Sequence, residues 1–219
     1  MERTRTVSIA IIVISFIASA CLYNYMPGRM VSHWNAQGIA DGWMPKEIVL
    51  FIMPAISAAL FILLLWVPGI DPLKANIEKF KKHYEMFIAA LMGFFFYIHL
   101  LTIAWGLGIA FNMIQLMSPA FALLFYRCGI LIENTRMNWT IGIRTRWSLS
   151  SETVWNATHE AAGMLFKVSG IIAAAGVVLP SHAIVFVIVP AMASAVYSMG
   201  YSYTVYKKEI KAKGRTAKK

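Results

Sequence analysis

Charge is scarce in this 219-residue chain: Asp, Glu, Lys and Arg make up 14% of it, where soluble domains average about 25%. So few ionic groups cannot coat a water-facing surface, and with 59% hydrophobic residues the implied solvent is lipid. Acid is thinnest of all, 10 Asp and Glu against 20 Lys and Arg, for a net charge of +10. The cations flank apolar runs, which suits an anionic membrane leaflet and argues against direct nucleic-acid binding. Cysteine is nearly absent. Cys21 and Cys128 both sit inside apolar runs and read as packing residues, with no disulfide framework or metal knuckle. The five histidines (33, 83, 99, 159, 182) show no His-x-x-x-His spacing. A Gly-rich phosphate loop, a heptad array and a paired nucleophile and base are also missing. No cofactor, metal or catalytic residue is therefore assigned, and the chain reads as a non-enzyme.

What is present is six apolar runs, at 7–26, 48–67, 86–111, 113–132, 163–179 and 183–205. At about 20 residues a run can cross a bilayer as a helix. The predicted fold is all-α: a polytopic bundle of six transmembrane helices. The first run is too long for a signal-peptide core and reads as an uncleaved span. Three regions follow. Residues 1–68 hold two spans and an intervening loop at 27–47. Residues 69–206 hold four spans and a polar loop at 134–162. Residues 207–219 form a basic tail, expected to be mobile. The 27–47 loop, with turn signals at Pro27-Gly28 and Asp41-Gly42 and belt residues Trp34 and Trp43, is expected to lie compactly on the membrane surface.

Lys and Arg set the sidedness. The N-terminus, second loop, fourth loop and C-terminus together carry 16, and the first loop carries two, Arg29 and Lys46. The positive-inside rule then puts both termini and the 134–162 loop in the cytoplasm and the 27–47 loop outside. The expected location is the plasma membrane of a prokaryote, as a multi-pass protein.

The 134–162 loop is the longest polar interval, with three arginines, three tryptophans, a histidine and two glutamates. Gly142 permits a tight turn, and Arg144 and Arg146 can fork onto phosphate or carboxylate. Ser150 is the expected N-cap of the following helix, with Glu152 complementing its dipole. That helix would align Trp155, Thr158, His159 and Ala162 on one face, and Trp147 and Trp155 would anchor the segment at the interface. Three readings stay open: a clamp on lipid headgroups and helix ends, a ligand or partner site, and a catalytic loop. Within the spans, Arg127 either snorkels to the inner interface or pairs with Glu133, Glu160 or His99. Lys167 is expected to snorkel, and His99 to hydrogen-bond inside the bundle. Gly170, Ala173, Ala174 and Gly176 offer a close approach to a neighbouring helix.

Two segments resemble known families. Pro27, His33-Trp34-Asn35, Gly38 and Asp41-Gly42-Trp43 are similar to the DUF1648 motif. Asn138, Ile141-Gly142-Ile143-Arg144-Thr145, Trp147, Leu149, Trp155 and Thr158-His159 resemble the motif of the SdpI family. Arg146 and Ser148 stand where that family commonly has proline and threonine, changes expected to loosen the turn. The resemblance implies a six-helix membrane protein with a role in immunity to a secreted peptide toxin, in membrane signalling, or in both. It also implies ligand or partner contacts at Asn138, Gly142, Arg144, Thr145, Trp147, Trp155, Thr158 and His159 inside, and at His33, Asn35 and Asp41 outside, with Arg127 added from its intramembrane position. The expected partners are membrane lipids, an extracellular peptide toxin and a cytoplasmic regulator. A small transporter using Arg127, and a membrane enzyme using His159 and Glu160, are the alternatives.

Overall fold

The structure, a computed structural model, describes residues 2–216, so the last three positions of the 207–219 tail lie outside the described residues. Among the described residues, six helices are long and apolar enough to cross a membrane. They are α1 (Glu2–Leu22), α2 (Lys46–Ile70), α3 (Lys74–Gly106), α4 (Met113–Asn134), α5 (Glu152–Ala174) and α6 (Ala183–Thr216). A two-stranded antiparallel hairpin, β1 (Arg29–Trp34) and β2 (Ala40–Pro45), forms the compact first loop.

The distribution of polarity is that of a protein dissolved in lipid. On α1 the buried side chains include Ser8, Ser15 and Ser19, while Ile9, Val13, Ile14 and Ile17 face outward. Each serine hydroxyl donates to the carbonyl four residues back, so burial leaves no donor stranded. Ser19 Oγ also lies 2.6 Å from the Leu50 carbonyl and 3.0 Å from His99 Nε2. His99 is thus the interior hydrogen-bonder expected, tying α1, α2 and α3 together. Exposed apolar surface on this scale would aggregate in water and is stable in hydrocarbon. The chain is a multi-pass membrane protein.

Hydrophobic burial does not drive helices together in lipid, so close packing must. It is tightest between α4 and α5, where a Cβ on Gly163 would lie 2.8 Å from the Gly129 carbonyl oxygen. One on Gly170 would lie 2.6 Å from the Ala122 carbonyl oxygen, so the small residues of α5 do admit a neighbour. Lys167 does not simply snorkel: its Nζ meets Glu133 Oε2 on α4 at 2.8 Å. Cys21 faces outward on α1 rather than packing inside.

Two helices overrun the bilayer. At 33 and 34 residues, α3 and α6 are about 50 Å long against a hydrocarbon core of about 30 Å. The basic stretch before the third run is helical from Lys74, and α6 runs into the basic C-terminal segment as far as Thr216. Hydrogen bonds sort the loops by end. Arg5 pairs with Glu85, Asp71 reaches Trp139 and Thr140, and Ser151 reaches Glu209. The N-terminus, second loop, fourth loop and end of α6 thus share one end. At the other end Asn112 Nδ2 donates to the Gln37 carbonyl, and Gln115 Nε2 to the Val177 carbonyl.

Candidate functional site

The inner site is built on a turn held from within. Asn138 is fully buried. Its Oδ1 accepts from the Thr140 and Ile141 amides, and its Nδ2 donates to the Arg136 and Ile141 carbonyls. One side chain thereby satisfies both senses of backbone group that a buried turn would otherwise strand. Asp71, at the start of the second loop, holds the same turn from outside. Its Oδ2 accepts from the Trp139 amide at 2.9 Å and the Thr140 hydroxyl at 2.7 Å, and its Oδ1 accepts from the Leu73 amide.

Gly142 follows with φ +117°, a conformation that side chains resist. A Cβ there would lie 2.5 Å from His159 Nε2. That closeness lets the next amide, Ile143, donate to His159 Nε2 at 2.9 Å. His159 Nδ1 is 2.8 Å from the Trp155 carbonyl, which can only accept. The imidazole is therefore neutral, protonated at Nδ1 and accepting at Nε2. Its ring stacks on Trp155 at 3.8 Å between centroids, and Trp155 Nε1 donates to the Thr135 carbonyl. Trp155, Thr158 and His159 are each at most 1% exposed. The predicted face of α5 is real, but it is a buried scaffold. Trp155 is not an interfacial anchor, and His159, with both nitrogens engaged, is not poised as a base. Glu160 points outward, away from it. The Thr158 hydroxyl is buried without a hydrogen-bond partner.

Ser148 closes the second half of the loop. Its hydroxyl donates to the Ile143 carbonyl at 2.6 Å and accepts from the Thr145 amide, while its own amide donates to Thr145 Oγ1. Ser148 thus holds this half of the turn through three backbone and side-chain contacts. Thr145 Oγ1 also meets Ser202 Oγ on α6 at 2.9 Å, and Trp147 packs on Tyr203. The N-cap of α5 is Ser151, one residue later than expected, accepting from the Thr153 amide and donating to Glu209.

What the loop presents outward is cationic and aromatic. Arg136, Trp139, Arg144 and Arg146 are exposed. Arg144 donates from Nη1 to the Trp139 carbonyl at 2.7 Å, and Arg146 lies over the Trp147 ring at 5.1 Å. Neither arginine is paired with a carboxylate among the described residues.

At the far end, Asn35 Oδ1 accepts from the Gln37 and Ile39 amides and shapes the hairpin tip. His33 Nδ1 donates to Asp41 Oδ1 at 2.5 Å across the strands. The tip is fastened to the bundle by Asn112, whose Oδ1 also caps α4 through the Gln115 amide. Arg127 joins neither cluster. It is half-buried on α4, and none of its expected partners reaches it: Glu133 holds Lys167, His99 holds Ser19, and Glu160 faces outward.

Asp71, Asn112 and Ser202 carry these clusters without having been singled out from the sequence. Asp71 offered one local sign, an acid between two spans just before Pro72. The others look like ordinary cap and helix residues until their distant partners are seen.

The comparisons fall on these two clusters. The model of the DUF1648 domain of unknown function matches residues 10–58, which contain the hairpin. The model of the SdpI/YfhL protein family matches residues 134–202, which contain the inner loop, α5 and most of α6. The immunity protein SdpI of Bacillus subtilis (strain 168) is 26% identical over 207 residues, covering 94% of this chain and 97% of that protein. No solved structure matches. With a DUF1648 match ahead of an SdpI/YfhL match on six helices long and apolar enough to cross a membrane, the chain is a multi-pass membrane protein similar to the SdpI/YfhL family.

Proposed function

We propose that this chain is a non-enzymatic plasma-membrane protein that protects its cell from a secreted peptide toxin and reports to a cytoplasmic partner. One observation carries the reading: two rigid motif elements sit at opposite ends of one bundle, each fastened to helices that cross it. The hairpin end has few cations and the loop end has many, which orients the hairpin outward. Ile39, Trp43 and Met44 are exposed on the hairpin beside the His33–Asp41 pair, a mixed apolar and ionic surface suited to an amphipathic peptide. The exposed guanidinium groups of Arg136, Arg144 and Arg146 suit an acidic cytoplasmic partner. Likeness to an immunity protein along almost the whole of both chains supports the same assignment.

The test is survival of a toxin-sensitive bacterial strain expressing the chain. Protection is expected, lost in His33→Ala with Asp41→Ala and retained in Arg144→Gln, which instead loses cytoplasmic partners in crosslinking. Absence of protection, together with no partner recovered on the inner loop, would sink the proposal.

A further inference from the structure

The inner loop roofs a cavity. Residues 140–145 line a space of about 560 Å³ bounded by α2, α3, α4, α5 and α6. Its walls are apolar: Leu64 and Val67 from α2, Phe87 from α3, Leu131 from α4, Phe166 from α5 and Met199 from α6. The volume lies within the roughly 300–1,000 Å³ of ordinary ligand pockets. Leu64 and Val67 belong to the last two turns of α2, and Leu131 to the last turn of α4, so the cavity sits toward the end of the bundle that carries the second and fourth loops, the inner leaflet by the positive-inside rule. The polar feature that stands out at its rim is Arg144, exposed and with one guanidinium nitrogen on the Trp139 carbonyl. The remaining N–H donors have no protein partner among the described residues.

We infer that this cavity holds an acyl chain of an anionic phospholipid whose phosphate is bound by Arg144. Three features on one axis select that occupant. The interior is hydrocarbon-like and lies at the depth where tails are found. The rim carries Arg144, which holds the carbonyl of the exposed belt residue Trp139. The guanidinium there carries a fork of free donors that matches a phosphate. A soluble anion would have no use for the apolar volume, and a purely apolar ligand would leave Arg144 unanswered. A seated lipid would press directly on the Ile141–Thr145 backbone, so leaflet composition would be read by the same loop that faces the cytoplasm. The inference rests on the cavity and on Arg144, independently of protection from a toxin.

The test uses the full chain purified in mild detergent and native mass spectrometry, with phosphatidylglycerol and phosphatidylethanolamine added at equal concentration. The wild type should retain one phospholipid and prefer phosphatidylglycerol. Arg144→Gln should lower retention of phosphatidylglycerol about tenfold, the loss expected for one charge-assisted phosphate contact. Ala195→Phe, which pushes a ring into the cavity wall, should retain none. Equal retention of phosphatidylglycerol by wild type and Arg144→Gln would overturn the inference, and that comparison decides even where Ala195→Phe does not fold. Undiminished lipid on folded Ala195→Phe would also overturn it, as would displacement of lipid by an apolar peptide but not by phosphatidylglycerol.

Discussion

Replacing Gly142 by alanine tests the geometry on which the inner loop depends. A methyl group at this position meets two obstacles. The backbone sits at φ +117°, where a non-glycine residue costs about 1–3 kcal/mol. The new Cβ also falls 2.5 Å from His159 Nε2. His159 is wedged against Trp155 and cannot retreat without surrendering the Ile143 amide. A buried amide and imidazole nitrogen left unpaired cost about 1–3 kcal/mol more. Together these predict a loss of about 2–6 kcal/mol, or a fall in Tm of roughly 10 °C, taking the relation for soluble domains of this size. The assay is thermal unfolding in detergent, with hydrogen exchange at the Ile143 amide as the local readout. Gly200→Ala on α6 is the matched control, since nothing lies within 4 Å of its added Cβ. In a His159→Ala background the clash disappears and only the backbone cost remains, so Gly142→Ala should be distinctly milder there. A Gly142→Ala protein that melts with the wild type, or one whose cost is unchanged without His159, would refute this account of the turn.

Other perturbations separate scaffold from surface. Asp71→Ala removes the acceptor shared by the Trp139 amide and the Thr140 hydroxyl; a cost of about 1.5–3 kcal/mol is expected, seen as faster exchange at residues 139–141. Trp155→Ala empties a fully buried site and should cost about 3–5 kcal/mol, measured by the same melts. Lys167→Met breaks its pair with Glu133, but both partners are partly exposed, so a change within about 1 kcal/mol is expected. A larger loss would mean that the pair is shielded by lipid. For sidedness, Ser150→Cys in a background with Cys21 and Cys128 changed to serine should resist an impermeant thiol reagent in intact cells and react after lysis. Labelling of intact cells would invert the bundle and exchange the roles of hairpin and loop.

The sequence by itself determined the solvent, the number of crossings, the two motif segments and the buried face of α5, and its basic residues proposed which end faces the cytoplasm. These are sums or periodicities over neighbouring residues: hydropathy accumulates along a run, cations accumulate beside it, and a helix repeats every 3.6 positions. Only the tertiary structure decided what the motif residues do. Asn138, Trp155 and His159, expected as ligand contacts, lie buried with backbone partners whose positions depend on the turn they themselves shape. Asp71 and Trp139 lie 68 positions apart, as do no two residues in a local pattern, and they meet because α3 and α4 return the chain to the same end. Lys167 found Glu133 for a similar reason, across the glycine contact that brings α4 against α5. Such pairings follow from helix packing in three dimensions, which no window along the chain encodes.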